Sequence, residues 1–499
     1  MPGIIKDEDL IVWLKNNYMK IKFIAHAPGY QRVDRKERLS ESITNLKTDK
    51  KLYAQKDLLI EIWKDLVAMA VIYLKSKDER EHFHDDGDYG IDELGEFFQE
   101  YCDFEKVLYG NGDYYRDHVS HVFKVFLLGE KLVSEDIGGF SSIEVMDSKL
   151  LLKNLKQESE EKDEDYQKRV ETKLITADEK EAMWCIVSLT HDLGYPTEVV
   201  NDIHDNLKNM LTIFNIQDVS YILSQQSQMF NDSIVRLISS DLKIVKNDCE
   251  GADEEESPEY ITHTQAKYYF KYSRSIENWD HGVESCIVLV KSLVYFLETD
   301  YSIDERKTMD IDDARQFLIR QRILRAIASH NCDFIYHLKL DLSFLLRIID
   351  EMQEWGRPRL SDLFIKTSDS RFSIDKFTKN DIEYTIRFSV IDGVTEPDDK
   401  KKLHNNIKNY FKRCADKYIM ILRSAVDGKE RAEDKLILTL NVVDETEKEI
   451  KYKFRHPNPR DIKLHVKGIK SPVKDCVEIK LEQLNENDWD DFCKIVENN

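Results

Sequence analysis

The chain has 499 residues and a formal net charge of −22. That balance excludes broad electrostatic capture of long duplex nucleic acid or of an acidic membrane, but admits a small anionic ligand where local cations reverse the field. Apolar residues make up 41%, with 10% aromatic, 34% charged, and only 17 Gly and 9 Pro, which favours long helices over a turn-rich β architecture in roughly two or three domains.

From the N-terminus, residues 1–96 read as a helical region, with apolar residues at helical spacing in LLIEIWKDLVAMAVIYLKSK. The start, MPGIIKDEDLIVWLKNNY, is broken by Lys6, Asp7, Glu8 and Asp9 and lacks a signal-peptide apolar stretch. No run approaches the ~18 apolar residues of a membrane span. The polar segment HFHDDGDYGIDE reads as a loop.

The region 97–365 carries the longest apolar helices: HVFKVFLLGEKLV, EAMWCIVSLTHDLG, VESCIVLVKSLVYFLE, QFLIRQRILRAIASHN and LSFLLRIIDEMQEWG. Two acidic insertions interrupt them, near 156–173, where an exposed charged helix is expected, and near 246–260, where a solvated loop is expected. After Pro358 the pattern changes, and 366–499 reads as a separate C-terminal α+β domain. Strands are expected at IEYTIRFSVI, LILTLNVVD, KEIKYKFRH and CVEIKLEQL, and a helix at KKLHNNIKNYFKRCADKYIMIL. The eight cysteines are scattered without a CxxC pair, as in a cytoplasmic protein with reduced thiols. The expected fold class is mainly α, a helical bundle core with a helical N-terminal extension.

His-Asp occurs three times, at His84-Asp85, His191-Asp192 and His204-Asp205. The first falls in the polar loop, the third in a segment read as surface, and the middle one closes the apolar run WCIVSLTHDLGYP. An imidazole and a carboxylate buried beside Leu189 and Leu193 must be satisfied, either by each other and the backbone or by a metal. The other long helices also carry such residues: His118 and His121 three apart on one helix, His281 at the start of another, His330 at the end of a third and Asp350 within a fourth. Singly, each fits a hydrogen-bonded core residue. Together, on helices distant in sequence, they have the distribution of a bundle-core metal site.

The order His121, His191-Asp192, Asp350 resembles the H…HD…D signature of the HD-domain superfamily of metal-dependent phosphohydrolases, and His281 and His330 resemble the extra histidines of its two-metal members. The resemblance spans about 100–365, just over half of the chain. It favours His121 over His118 as first ligand, because the family places a valine four residues on and often a small residue eight on. His121 is followed by Val125 and Gly129, whereas His118 has Phe126 at the eighth position. Tyr195 stands where tandem-signature phosphodiesterase members carry lysine, a departure from that branch.

The resemblance implies one or two divalent ions (Mn, Fe, Ni, Zn or Mg) held by His121, His191, Asp192, His281, His330 and Asp350. Asp192 would be the shared, catalytic ligand, since a carboxylate can span two ions and an imidazole cannot. Arg116, His118, Tyr195 and Arg357 are the candidate substrate contacts; Lys124 and Arg347, within a turn of ligands, could instead face solvent, and Asp117 could orient a ligand histidine. The implied reaction is hydrolysis of a phosphate ester of a nucleotide or related small molecule. The alternatives are a non-catalytic metal- or nucleotide-binding bundle and a di-iron oxygenase, and the C-terminal domain would act as a regulatory or protein-interaction module.

Overall fold

The computed structural model describes residues 5–26, 31–75, 90–108, 117–134, 151, 161–211, 214, 228–245, 259–297, 307–332, 342–353, 368–377, 381–390, 437–443, 449–455, 461–467 and 477–480. In chain order the helices are α1 Asp7–Asn17, α2 Lys22–Ala25, α3 Gln31–Asn45, α4 Lys56–Leu74, α5 Ile91–Leu108, α6 Val119–Ser134, α7 Asp163–Lys173, α8 Ala177–Thr190, α9 Tyr195–Leu211 and α10 Gln228–Ser239. Strands β1 Ser240–Ile244 and β2 Tyr260–Thr264 follow, then α11 Ala266–Glu277, α12 His281–Ser292, α13 Val294–Leu297, α14 Ile311–Ser329 and α15 Leu342–Met352. Among the described residues after α15 there are six strands: β3 Ser368–Phe377, β4 Asp381–Val390, β5 Ile437–Val443, β6 Glu449–Arg455, β7 Asp461–Lys467 and β8 Val477–Lys480. The fold is mainly α.

Helix α8 is the axis of the bundle. It packs against α2, α4, α6, α14 and α15, and every residue from Ala182 to Thr190 is buried, so an all-round apolar sequence is what its position demands. Its start is fixed by a capping box: Thr176 accepts from the Glu179 backbone N–H while the Glu179 carboxylate accepts from the Thr176 N–H, an arrangement that contributes about 1 kcal/mol. Arg315 of α14 donates to that same Glu179 carboxylate, so α8 and α14 are joined at their first turns. Asp310 caps α14 by accepting from the Asp312 and Asp313 backbone N–H groups. Both helices then run buried to the end that carries a histidine, His191 after α8 and His330 after α14.

The end of α8 is held from two other sides. Trp63 of α4 donates its indole N–H to the Leu189 carbonyl at 2.8 Å, and Trp184 donates to the Phe126 carbonyl of α6 at 3.2 Å. Gly129 of α6 lies against the Trp184 ring so closely that a Cβ there would sit 2.3 Å from it. The small residue eight positions after His121 is therefore a packing requirement, which lets α6 approach α8.

The expected charged helix in the first acidic insertion is α7, none of whose residues is buried. In the second insertion, 246–258 lies outside the described residues, but Tyr260 is not loop: it starts β2, which pairs antiparallel with β1. The five-residue strands SDLKI and YITHT are too short and polar to announce themselves by alternation. In the C-terminal sheet the order is β3-β4-β5-β6-β7-β8, with the expected strands at β4, β5, β6 and β8, and with β3 and β7 in addition. All neighbours are antiparallel except β4 and β5. A parallel pair requires a long crossover; the helix expected within it, at 401–422, lies outside the described residues, as does the expected loop holding His84-Asp85. The sheet touches the N-terminal segment where Ile5 N–H donates to the Phe372 carbonyl of β3 at 2.7 Å. Among the described residues no helix is long and apolar enough to cross a membrane, and Cys102, Cys185, Cys286 and Cys332 are buried and outside any disulfide.

Candidate metal centre

Helix ends deliver the site. α8 and α14 terminate at His191 and His330, α12 begins at His281, α6 presents His121 from its first turn and α15 presents Asp350 from its last. The imidazoles are oriented in the same way. His191 Nδ1 donates to the Ser188 carbonyl at 2.9 Å and His330 Nδ1 to the Ile327 carbonyl at 2.6 Å, each reaching one turn back along its own helix. His281 Nδ1 donates to the Glu198 carboxylate at 2.5 Å, and His121 Nδ1 to the Gln353 amide oxygen. The Asn331 amide nitrogen also lies 2.8 Å from His281 Nδ1, but the anionic carboxylate is the stronger acceptor and takes the proton. With Nδ1 the donor in each ring, the four Nε2 atoms are the ones that face inward.

They converge on Asp192, which is 5% exposed. Its Oδ2 lies 3.5 Å from His191 Nε2 and 3.8 Å from His121 Nε2. Its Oδ1 lies 3.5 Å from both His281 Nε2 and His330 Nε2. Asp350 Oδ1 joins the first group, 2.7 Å from His121 Nε2 and 3.8 Å from His191 Nε2. Two triads result, His121-His191-Asp192 and Asp192-His281-His330, and within each the potential ligand atoms lie within 4.8 Å of one another. Asp192 is common to both, one oxygen to each.

The donor chemistry fits a cation. His191 Nε2 is buried and has no hydrogen-bond partner among the described residues, its nearest carboxylate oxygens being beyond normal N–H···O range. His281 Nε2 and His330 Nε2 face each other at 2.9 Å, a contact between two lone pairs unless a proton or a metal lies between them. The inward Nε2 of His121 against Asp350 Oδ1 makes the same demand. Neutral imidazole nitrogens steered by outer hydrogen bonds, with carboxylates between them, are a transition-metal donor set.

Electrostatics point the same way. Burial opposes charge on Asp192, but His191, His330, His118 and His281 around it overcome this and hold its carboxyl well below the usual range. Asp350 is likewise held well below it, burial being outweighed by His121 and His191. Burial works against a proton on His191, yet Asp192 and Asp350 raise it to about 9. His330 is pushed down to about 4, chiefly by burial and then by the neighbouring histidines. Burial also works against a proton on His281, but Glu198 raises it above the ordinary value.

The turn after Asp192 is locked to α12. Gly194 N–H donates to Ser285 Oγ at 2.8 Å, and that hydroxyl faces the His191 and His281 carbonyls at 2.6 and 2.8 Å. A Cβ on Gly194 would lie 2.3 Å from the His281 carbonyl oxygen. The first turn of α6 is set by a buried charge cluster. Glu105 accepts from the His118 N–H at 2.7 Å, Asp117 accepts from the Ser120 N–H at 3.1 Å, and Lys56 pairs with both carboxylates. Asp117 thus caps the helix that carries His121.

His118 is 7% exposed and stands beside the cluster, its ring stacked on Tyr195 with centroids 4.0 Å apart; Tyr195 in turn meets His281 edge-on at 5.4 Å. Lys124 and Arg347 do not face solvent. Lys124 is fully buried and pairs with Asp7 at 3.2 Å, and Arg347 donates to the His330 and Cys332 carbonyls at 3.1 and 2.6 Å. Arg116 and Arg357 lie outside the described residues, as do His84, His337, His404 and His456. His204 is half-buried on α9 and belongs to neither triad. The sequence reading missed Glu198, Gln353 and Ser285. Gln353 was findable, being three residues after Asp350 and so on the same helix face; Glu198 and Ser285 act through contacts between distant segments.

No protein-family model matches the chain, and neither a curated protein nor a solved structure matches it. What stands independently of any relative is a buried histidine-aspartate cluster that could hold a metal ion.

Proposed function

We propose that the chain is a metal-dependent phosphohydrolase of the HD type, with two divalent ions held at Asp192, that cleaves a phosphate ester of a nucleotide or related small molecule. One observation carries this reading: the two carboxylate oxygens of Asp192 each face a separate pair of inward Nε2 atoms. His121, His191, Asp350 and one oxygen of Asp192 would hold one ion, and His281, His330 and the other oxygen the second. Such ions, when bound, neutralise a phosphoryl group and make a hydroxide nucleophile available near neutral pH.

The protein's own residues do the remaining work. The outer acceptors Ser188, Ile327, Glu198 and Gln353 keep each imidazole's Nε2 turned inward, so the rings need not turn on binding and only protons held on Nε2 have to leave. The apolar walls of α6, α8 and α14 keep bulk water from the base of the site. His118 and Tyr195 line its side, where a substrate's organic group would lie. In the net reaction a water oxygen bonds to phosphorus, the ester P–O bond breaks, and the departing oxygen takes up a proton.

The test is hydrolysis of bis(p-nitrophenyl) phosphate and p-nitrophenyl phosphate by full-length protein loaded in turn with Mn, Ni, Fe, Zn and Mg. Metal-dependent release of p-nitrophenol that is abolished in Asp192→Ala supports the reading. Metal-loaded protein that turns over neither ester, nor any member of a nucleotide panel, would refute it. Two bound irons with a mixed-valence signal and oxygen uptake would assign the cluster to oxidation instead.

A further inference from the structure

We infer that Tyr101 is a substrate-contact residue of this centre, its phenolic hydroxyl donating a hydrogen bond to an oxygen of the bound phosphate. The inference deepens the phosphohydrolase reading and rests on it. Phe98, Tyr101, Cys102 and Glu105 form the buried face of α5, at the spacing of one helical stripe. The helix meets elements of the site at three places. Glu105, one turn after Tyr101, accepts from the His118 N–H at 2.7 Å, where α6 begins. α5 also packs against α9 and α12, the helices that carry Tyr195 and His281.

The Tyr101 ring is fixed, edge-on to Phe98 at 6.3 Å; Phe98 is itself stacked on Trp63 at 4.3 Å. Its hydroxyl is buried and has no hydrogen-bond partner among the described residues. Leaving a buried hydroxyl unsatisfied is costly, and native proteins rarely tolerate it without a functional reason. Burial first, and then the nearby Asp192, Glu105 and Tyr195, push this phenol well above its ordinary value. The group therefore keeps its proton and acts as a donor.

The Nδ1 protons of the four histidines are committed to outer acceptors, and Lys124 and Arg347 are turned to Asp7 and to backbone carbonyls. A phosphate presents more oxygens than two cations can occupy, and a neutral phenol against one of them needs no proton transfer.

The experiment compares full-length wild type and Tyr101→Phe, both loaded with Mn, by calorimetric titration with inorganic phosphate. Phenylalanine keeps the ring packing and removes only the oxygen. Expected are unchanged Mn content, an equal or higher Tm, and phosphate binding weakened roughly tenfold. Phosphate binding equal to or tighter than wild type overturns the inference while leaving the phosphohydrolase reading intact. Loss of Mn from Tyr101→Phe also overturns it, because the residue would then act on the metal and not on the substrate. Wild type that binds Mn but no phosphate sinks the underlying reading, and the Tyr101 inference falls with it; the wild-type arm alone shows this.

Discussion

At the scale of single residues, the centre is a set of imidazoles whose tautomers are fixed from behind. His191 is the most informative of them. It carries its proton up to about pH 9 because Asp192 and Asp350 outweigh its burial. The sign follows from that raised value. In metal-free protein its contribution to stability is complete below the unfolded value of about 6.5 and is lost as pH rises through about 9. A metal must displace the same proton, so metal affinity rises over the same interval. Calorimetry of Mn binding at pH 7 in buffers of different ionisation enthalpy should therefore show release of about one to two protons, falling towards zero above pH 9. Equal proton release at both ends of that range would contradict this electrostatic account. His121, His191, Asp192, His281, His330 and Asp350 were legible in sequence because each is a polar residue inside or at the end of an apolar helix. Glu198 was not legible. Nothing in its own neighbourhood distinguishes a first-turn glutamate that accepts from His281 from an ordinary helix-start acid.

At the scale of elements, the site depends on how closely α6, α8 and α12 approach one another. Gly129 sets one of these distances. Gly129→Ala would force a Cβ to within 2.3 Å of the Trp184 ring, and overpacking of this kind costs about 1–3 kcal/mol. Chemical denaturation should register that loss, and Mn affinity should drop with it, because α6 carries His121 and α8 carries His191-Asp192. Undiminished stability in the variant would mean that α6 and α8 are not held by this contact. The long helices could be read from their periodicity, and several strands of the C-terminal sheet from alternation. The β1–β2 pair could not, because five-residue strands whose burial is only partial leave no periodic signal. Its place is set by partners far away: Gln321 and Arg325 of α14 both donate to the Ser240 carbonyl.

At the scale of the molecule, the N-terminal segment ties separate parts of the chain together. Ile5 bridges to β3 of the C-terminal sheet, and Asp7, two residues on, pairs with the buried Lys124 of α6 while accepting from the Leu52 N–H at 3.2 Å. Asp7→Ala removes the carboxylate that faces a fully buried ammonium, and the expected loss is about 3 kcal/mol. Urea denaturation would measure it; a change below about 0.5 kcal/mol would show that the pair contributes nothing the rest of α6 does not supply. The net charge of −22 opposes broad capture of large polyanions, and under the phosphohydrolase reading the buried cluster, lined by carboxylates and imidazoles, would admit a small anion once cations were in place.

Sharing of Asp192 by two metal ions would show in Mn stoichiometry together with electron paramagnetic resonance of the loaded protein. Two Mn per chain with an exchange-coupled signal, collapsing to uncoupled or absent Mn in Asp192→Ala, is the predicted result. Wild type that binds no Mn, or two Mn without coupling, would contradict it.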